Sequence, residues 1–402
     1  MVEMFDVGGV ALDRPFRVRR LGHFGLNIVN VDECIQFFTE KLGLIVSDSG
    51  DLKMLSPGVY DDIQDARFFF LRYGTDHHAV VLASKDIAAH AEHVFGPFNP
   101  NVALSQVSWQ VGSLEEVVEA VQWLKERRVS VVRSGRDMPG SNWHVYFVDP
   151  GGRMNELFWG MEQVGWDGLS KPSLLYKFGR SEQPSLPQCA EAVEVDTIRN
   201  TADMWSGYAG RATGTPQYQV DGVFLPRPFK VVALGPIKLF CEDMIAAIGF
   251  YQDLLGFTPA AAAEIRGGNC VFLRGWSDHH AIVLVPSSLR ERLGLAGSDN
   301  LLSVGLRVAN YRQLRNAREY FIDKGYSLVD LPKELSPGIE HCFYVRDPDG
   351  HLFQLYASME QIGWDGRSRP EGEVVYPRDD WPETVPRRDD EFNGVQFLGP
   401  WE

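Results

Sequence analysis

The sequence predicts an α+β fold of four βαβββ modules arranged as two pairs. Three observations carry this expectation. The chain contains a diverged second copy of most of itself, each copy reads strand, helix and strands twice over, and each copy closes on a hairpin turned at Asp-Pro.

The repeat is legible without gaps over long stretches. GVALDRPFRVRRLGHFGLNI (9–28) returns as GVFLPRPFKVVALGPIKLF (222–240), which lays Arg14-Pro15-Phe16 on Arg227-Pro228-Phe229. FFTEKLGL (37–44) returns as FYQDLLGF (250–257), FLRYGTDHHAVVL (70–82) as FLRGWSDHHAIVL (272–284), and YFVDPGGRMNELFWGMEQVGWDG (146–168) as YVRDPDGHLFQLYASMEQIGWDG (344–366). The first copy is longer in its middle, so an extra loop is expected around 46–66.

Each element has a local cause. Leu21–Ile28 reads as a strand leading into a helix near Asp32–Leu42, with Ile35, Phe38 and Leu42 on one face and Gly43 as its stop. Two or three strands follow. Ser105–Val111 alternates as a further strand, and Ser113-Leu114-Glu115-Glu116 is a capping box opening a helix through Val117, Val121 and Leu124. Trp143–Val148 and Met154–Trp159 flank Asp149-Pro150-Gly151-Gly152 as a hairpin. The second copy repeats the scheme with Leu234–Phe240, a helix near Ile245–Leu255, Phe272–Leu284, Val304–Val308, a helix near Tyr311–Gly325 and Cys342–Tyr356. The expected domains are therefore 1–168 and 221–366, joined by a Pro-, Ser- and Gly-rich linker (169–220) and followed by a proline-rich tail (367–402).

Composition bounds the function. A chain of 402 residues with 44% hydrophobic content suits two or three globular domains. A net charge of −15 argues against nucleic acid and anionic membranes, which want a basic face. The five cysteines are odd in number, widely spaced and without CxxC pairs, which predicts reduced thiols. No apolar signal run or stretch of about 20 apolar residues occurs, so a soluble cytoplasmic protein is expected.

The chemistry starts at Glu156. A carboxylate between Asn155 and Leu157-Phe158-Trp159 is costly to bury unless it meets a proton, a cation or a metal. Four βαβββ modules with His23, His77-His78 and Glu156 at these places resemble the vicinal oxygen chelate superfamily. In layout the chain is similar to its two-domain type I extradiol ring-cleaving dioxygenases, over about 21–160 and 234–358. The resemblance implies paired modules closing into cup-shaped half-barrels with a metal inside: Fe(II) first, Mn(II) or another divalent ion as alternatives. It also implies a small aromatic substrate with O2, and by analogy an assembly of copies, although the sequence itself leaves the oligomeric state open.

Carried onto this chain, the resemblance makes His23 and Glu156 metal ligands and Tyr146 a substrate-binding tyrosine. His78 falls on the histidine that handles protons beside bound oxygen. Parity with the closing hairpin faces His78 into the cup with Glu156 and turns His77 outward. Gln106 stands where the family usually has its second histidine, and its carbonyl oxygen is a harder, neutral donor. The second copy has Pro236, Ser303 and Gln354 at the three ligand positions and keeps only His280 and Tyr344, so it is expected to be metal-free, whereas the family usually keeps its metal in the C-terminal half.

Plainer readings stand beside these. Asp-His-His occurs in both copies, which suggests a structural role, and Tyr146 is likewise repeated as Tyr344. His144 shares parity with Tyr146 and could line the cleft. Trp109, Phe158, Trp159, Phe68 and Phe70 could floor an aromatic pocket or simply fill cores. Three functions follow: an extradiol-type dioxygenase of a catecholic substrate, a non-redox metal enzyme of isomerase, lyase or hydrolase type, and a metal-free small-molecule binding protein.

Overall fold

A computed structural model describes residues 3–90, 102–172, 174–175, 203–297, 299–363 and 366–386. Much of the expected linker and the end of the tail lie outside these residues. The chain divides into two compact units, Met1–Asn27 with Val46–Pro100 and Leu104–Arg211, and Ile28–Ile45 with Asn101–Ala103 and Ala212–Glu402.

The first unit is built on an eight-stranded sheet. Its order is Ile45–Asp51, Arg67–Arg72, Val80–Ser84, Arg20–Ile28, Leu104–Gln110, Met154–Trp159, Trp143–Val148 and Val131–Gly135. Each module thus places its first strand innermost, and the two first strands meet antiparallel, with His23 opposite Ser108 and Gly25 opposite Gln106. The second unit repeats this order on seven strands, from Thr258–Ile265 through the central pair Val231–Cys241 and Leu301–Val308 to Cys342–Arg346. Its fourth module has a single bridge, Val329 to Tyr344, in place of an outermost strand.

The predicted hairpin forms, and its register sets Tyr146 opposite Glu156, because turn chemistry and alternation agree there. Asp149 ties the turn by accepting from the backbone of Gly151 and Arg153 at 2.8 and 2.9 Å. The capping box is half formed. The Ser113 hydroxyl accepts from Glu116 N, but the Glu116 carboxylate is used elsewhere, accepting from Arg17 N at 2.8 Å. The expected loop at 46–66 is partly a strand, Ile45–Asp51, and the extra length lies in 52–66. Ser47 and Asp48 are buried in that strand although polar, so no apolar alternation marks it in the sequence.

The helix of the first module, Val31–Gln36 continued by a wider π turn over Phe37–Lys41, belongs to the second unit. Phe37 and Phe38 pack on Phe353 with ring centroids 6.0 and 5.3 Å apart, and the Asp349 carboxylate accepts from the backbone of Val29 and Asn30 at its start. At its end Gly43 takes φ +84°, and the buried Arg227 guanidinium donates to the carbonyls of Thr39 and Glu40. Loose helix-end carbonyls are what such a cation satisfies. The repeated Arg-Pro-Phe is therefore structural here, since Phe229 also packs on Tyr320 and Phe321.

Asp-His-His and Met-Glu-Gln form a second repeated structural device. The Gln163 side chain donates to Asp76 and accepts from Thr75, while His77 N donates to Glu162 O at 2.8 Å. The second unit matches it, with Gln361 on Asp278 and Ser277 and His279 N on Glu360 O at 2.9 Å. No helix among the described residues is long and apolar enough to cross a membrane.

Candidate metal centre

The pleat of four neighbouring strands aims one set of side chains into the first unit. Glu156 lies opposite both Tyr146 and Ser108, and His23 opposite Ser108, so residues of all four strands converge on one face. His23 Nε2 stands 2.9 Å from Glu156 Oε2. The Gln106 carboxamide completes a triangle, its Nε2 2.9 Å from His23 Nε2 and 2.8 Å from Glu156 Oε2. Adjacent ligands of a six-coordinate divalent ion with bonds of about 2.1 Å are about 3 Å apart, so the triangle has the dimensions of one octahedral face.

The donor set also fits a divalent ion. It supplies one imidazole nitrogen, one carboxylate oxygen and, after a half-turn of the Gln106 amide, one carbonyl oxygen. No group of three His, Cys, Asp or Glu side chains is set to hold an ion among the described residues; the third donor here is a glutamine. His23 and Glu156 are both fully buried. Burial would push the Glu156 carboxyl up, but the His23 ring, with help from His144 and Ser108, overrides it and holds the group down to about 2. Glu156 is thus an anion, with one oxygen 2.9 Å from His23 Nε2.

The other predicted residues surround this triangle. The Tyr146 hydroxyl is 3.3 Å from Gln106 Nε2, and burial, reinforced by Glu156, raises its pKa well above the ordinary value, so it remains a donor. The His78 ring lies 4.3 Å from the His23 ring, centroid to centroid, and burial followed by His23 and His77 keeps it neutral. Its Nδ1 faces His77 Nδ1 at 3.0 Å. His77 itself does not turn out to solvent as expected: it is buried, with Nε2 3.8 Å from Glu162. Parity set its face, but the short segment Glu162–Val164 pairs with Thr75–His77 and covers that face.

His144 Nδ1 stands 3.8 Å from Glu156 Oε1, and its ring 4.6 Å from that of Tyr146. Among the aromatics, Phe158 packs on His23 at 5.1 Å and Phe70 on His78 at 4.9 Å, while Phe68 touches Phe70. Gly22 makes room for Phe158, whose ring fills the space a Cβ would need. Trp109 has the opposite parity and spends its indole N–H on Asn155 in the core, and Trp159 is partly exposed.

Two further residues, Asn142 and Lys238, are not among those the sequence singled out. Asn142 donates to Glu156 Oε1 at 2.9 Å and orients the carboxylate from just before the hairpin, where nothing in the local sequence marks it. In the second unit Lys238 is wholly buried, although the apolar run GPIKLF did signal an anomalous lysine. Burial lowers it from 10.5 to about 7. The unfolded chain therefore binds more protons between these pH values, and stability is expected to rise with pH across that window, by roughly 4–5 kcal/mol at most. Lys238→Met should flatten this slope in denaturant unfolding followed from pH 7 to 10.5; an unchanged slope would contradict the assignment.

The chain belongs to the Glyoxalase/Bleomycin resistance protein/Dioxygenase superfamily, whose family model matches residues 20–157 and 233–355. A curated relative, Metapyrocatechase 2 of Cupriavidus necator, is 29% identical over 152 residues, 37% of this chain and 39% of that protein, so the match spans well under half of its length. A catechol 2,3-dioxygenase structure superposes with a TM-score of 0.52 at 17% identity, covering 95% of this chain and 99% of the other. The Mn(II)-bound glyoxalase of Novosphingobium aromaticivorans gives 0.53 at 15% identity, with the same coverages of 95% and 99%. Homoprotocatechuate 2,3-dioxygenase of Brevibacterium fuscum gives 0.54 at 15% identity, covering 91% and 88%. At such identities these likenesses establish the fold.

Proposed function

We propose that this protein is a metal-dependent dioxygenase that opens a catecholic or related aromatic ring by extradiol-type cleavage, both atoms of O2 entering the product. The observation that carries the reading is the buried triangle of His23, Gln106 and Glu156, with edges of 2.8–2.9 Å, in a chain of this superfamily. These three residues would hold Fe(II) or Mn(II). A bound ion of this kind supplies a Lewis acid with open positions, at which vicinal oxygens are polarised and their protons made more acidic.

The chain's own residues then divide the remaining work. Neutral His78 accepts the hydroxyl proton of the substrate; burial weakens it as a base, and the acidity that a bound ion would lend the hydroxyl offsets that weakness. Tyr146, still protonated, donates a hydrogen bond to a substrate oxygen. Asn142 fixes one carboxylate oxygen of Glu156 and leaves the other for the ion. Phe158 and Phe70, packed on the two histidines, keep water from the proton transfer.

Gln106 favours a second reading, non-redox isomerase, lyase or hydrolase chemistry, because a hard neutral oxygen donor suits a redox-silent ion such as Mg(II) better than it suits iron. Elemental analysis of anaerobically purified protein, with oxygen uptake measured against a panel of catechols, tests both. About one iron or manganese per chain with catechol-dependent uptake supports ring cleavage, and one redox-silent ion without uptake supports the second reading. Metal-free protein would leave a binding protein of small molecules.

A further inference from the structure

The two units differ at one cross-strand pair in a way that exchanges a long side chain for a short one. In the first unit Gly25 faces Gln106, and a Cβ at Gly25 would sit 3.1 Å from the Gln106 Cβ. In the second unit the pair at the same register is Lys238 opposite Ser303. The long polar chain thus enters from the other strand, and the small Ser303 leaves it space. Lys238 Nζ reaches Gln354 Oε1 at 2.6 Å, Tyr344 Oη at 2.9 Å and Ser336 Oγ at 3.2 Å. Gln354 and Tyr344 are the repeat counterparts of Glu156 and Tyr146.

We infer that the second unit is a converted metal site in which the ammonium of Lys238 is the resident cation, covalently supplied and coordinated by Gln354, Tyr344 and Ser336. Protonated, as at pH 6, this amine has three N–H donors and no acceptor, and the site offers it three oxygens. The charges change in step: the carboxylate of Glu156 becomes the carboxamide of Gln354, and a divalent ion becomes a monovalent one. Among the described residues no carboxylate pairs with Lys238; the titratable groups acting on or touching it are Cys342, His280 and Tyr344. The remaining donors do not suit a metal, since Pro236 has none and the Lys238 chain occupies the centre. The comparison between the units rests on reading the first as a metal site, whereas the response of the melting temperature to Lys238 and Gln354 depends on the second unit's own contacts.

The test is a double-mutant cycle of Lys238→Met and Gln354→Glu, read by thermal melting at pH 6 and by metal content. With the ammonium in place, Gln354→Glu creates a buried ion pair on an existing 2.6 Å contact and should raise the melting temperature, by about 5 °C. In the Lys238→Met background the same change buries an unpaired carboxylate and should lower it by a similar amount. Lowering of equal size in both backgrounds overturns the inference. Where Lys238→Met does not fold, Gln354→Glu alone decides by metal content. It should leave the metal per chain unchanged, because the ammonium holds the place, and an additional metal ion per chain in this variant overturns the inference.

Discussion

Glu156→Ala is expected to strip the protein of its metal, from about one divalent ion per chain to background, and to remove oxygen uptake with it. Glu156 is the only carboxylate in the triangle and is wholly buried, with its charge held by His23. Its removal also leaves the His23 ring and the amides of Gln106 and Asn142 without their acceptor, at roughly 1–3 kcal/mol of stability. Circular dichroism and a melt separate that cost from loss of the site. Glu156→Gln is the sharper variant, because Gln354 shows the fold accommodating glutamine at the same place in the second unit. It should fold, and it should still lose the metal. Full metal content in either variant would sink the proposed ligand set.

His78→Ala should behave differently: metal retained, turnover reduced by about 10²–10⁴-fold, the range that a lost general base produces. The ring contacts His23 edge-on at 4.3 Å yet lies outside the ligand triangle, so its loss removes a proton acceptor and not a donor to the ion. Single-turnover kinetics with elemental analysis check this. A variant with unimpaired turnover assigns His78 to the structural role that His280 has in the second unit, where the same Nδ1-to-Nδ1 contact recurs at 3.1 Å without a triangle beside it.

Legibility of the site followed sequence distance. Tyr146 and Glu156 sit on one hairpin, so alternation and turn length alone place them opposite each other. His23 and Gln106 are far apart in the chain, and the internal repeat together with the family resemblance, not local propensity, suggested that they meet. Asn142 and Lys238 entered from the structure. A polar side chain just before a strand carries no periodic signal, and a lysine in an apolar strand reads only as an anomaly until its three oxygen partners are in view. His77 shows the opposite failure: its parity was read from the strand, but a later segment buries the outward face.

By itself the sequence determined the repeated α+β modules, the closing hairpins and the asymmetry between a half with His23 and Glu156 and a half without them. These follow from hydrophobic alternation, turn residues and residue identity, all of which are local or recur by copying. Only the tertiary structure decided that the three donors stand at 2.8–2.9 Å, that the first module's helix belongs to the second unit, and that Lys238 fills the second site. Those outcomes depend on strand register and on which surfaces bury each other, and such contacts between distant residues leave no periodicity in the chain.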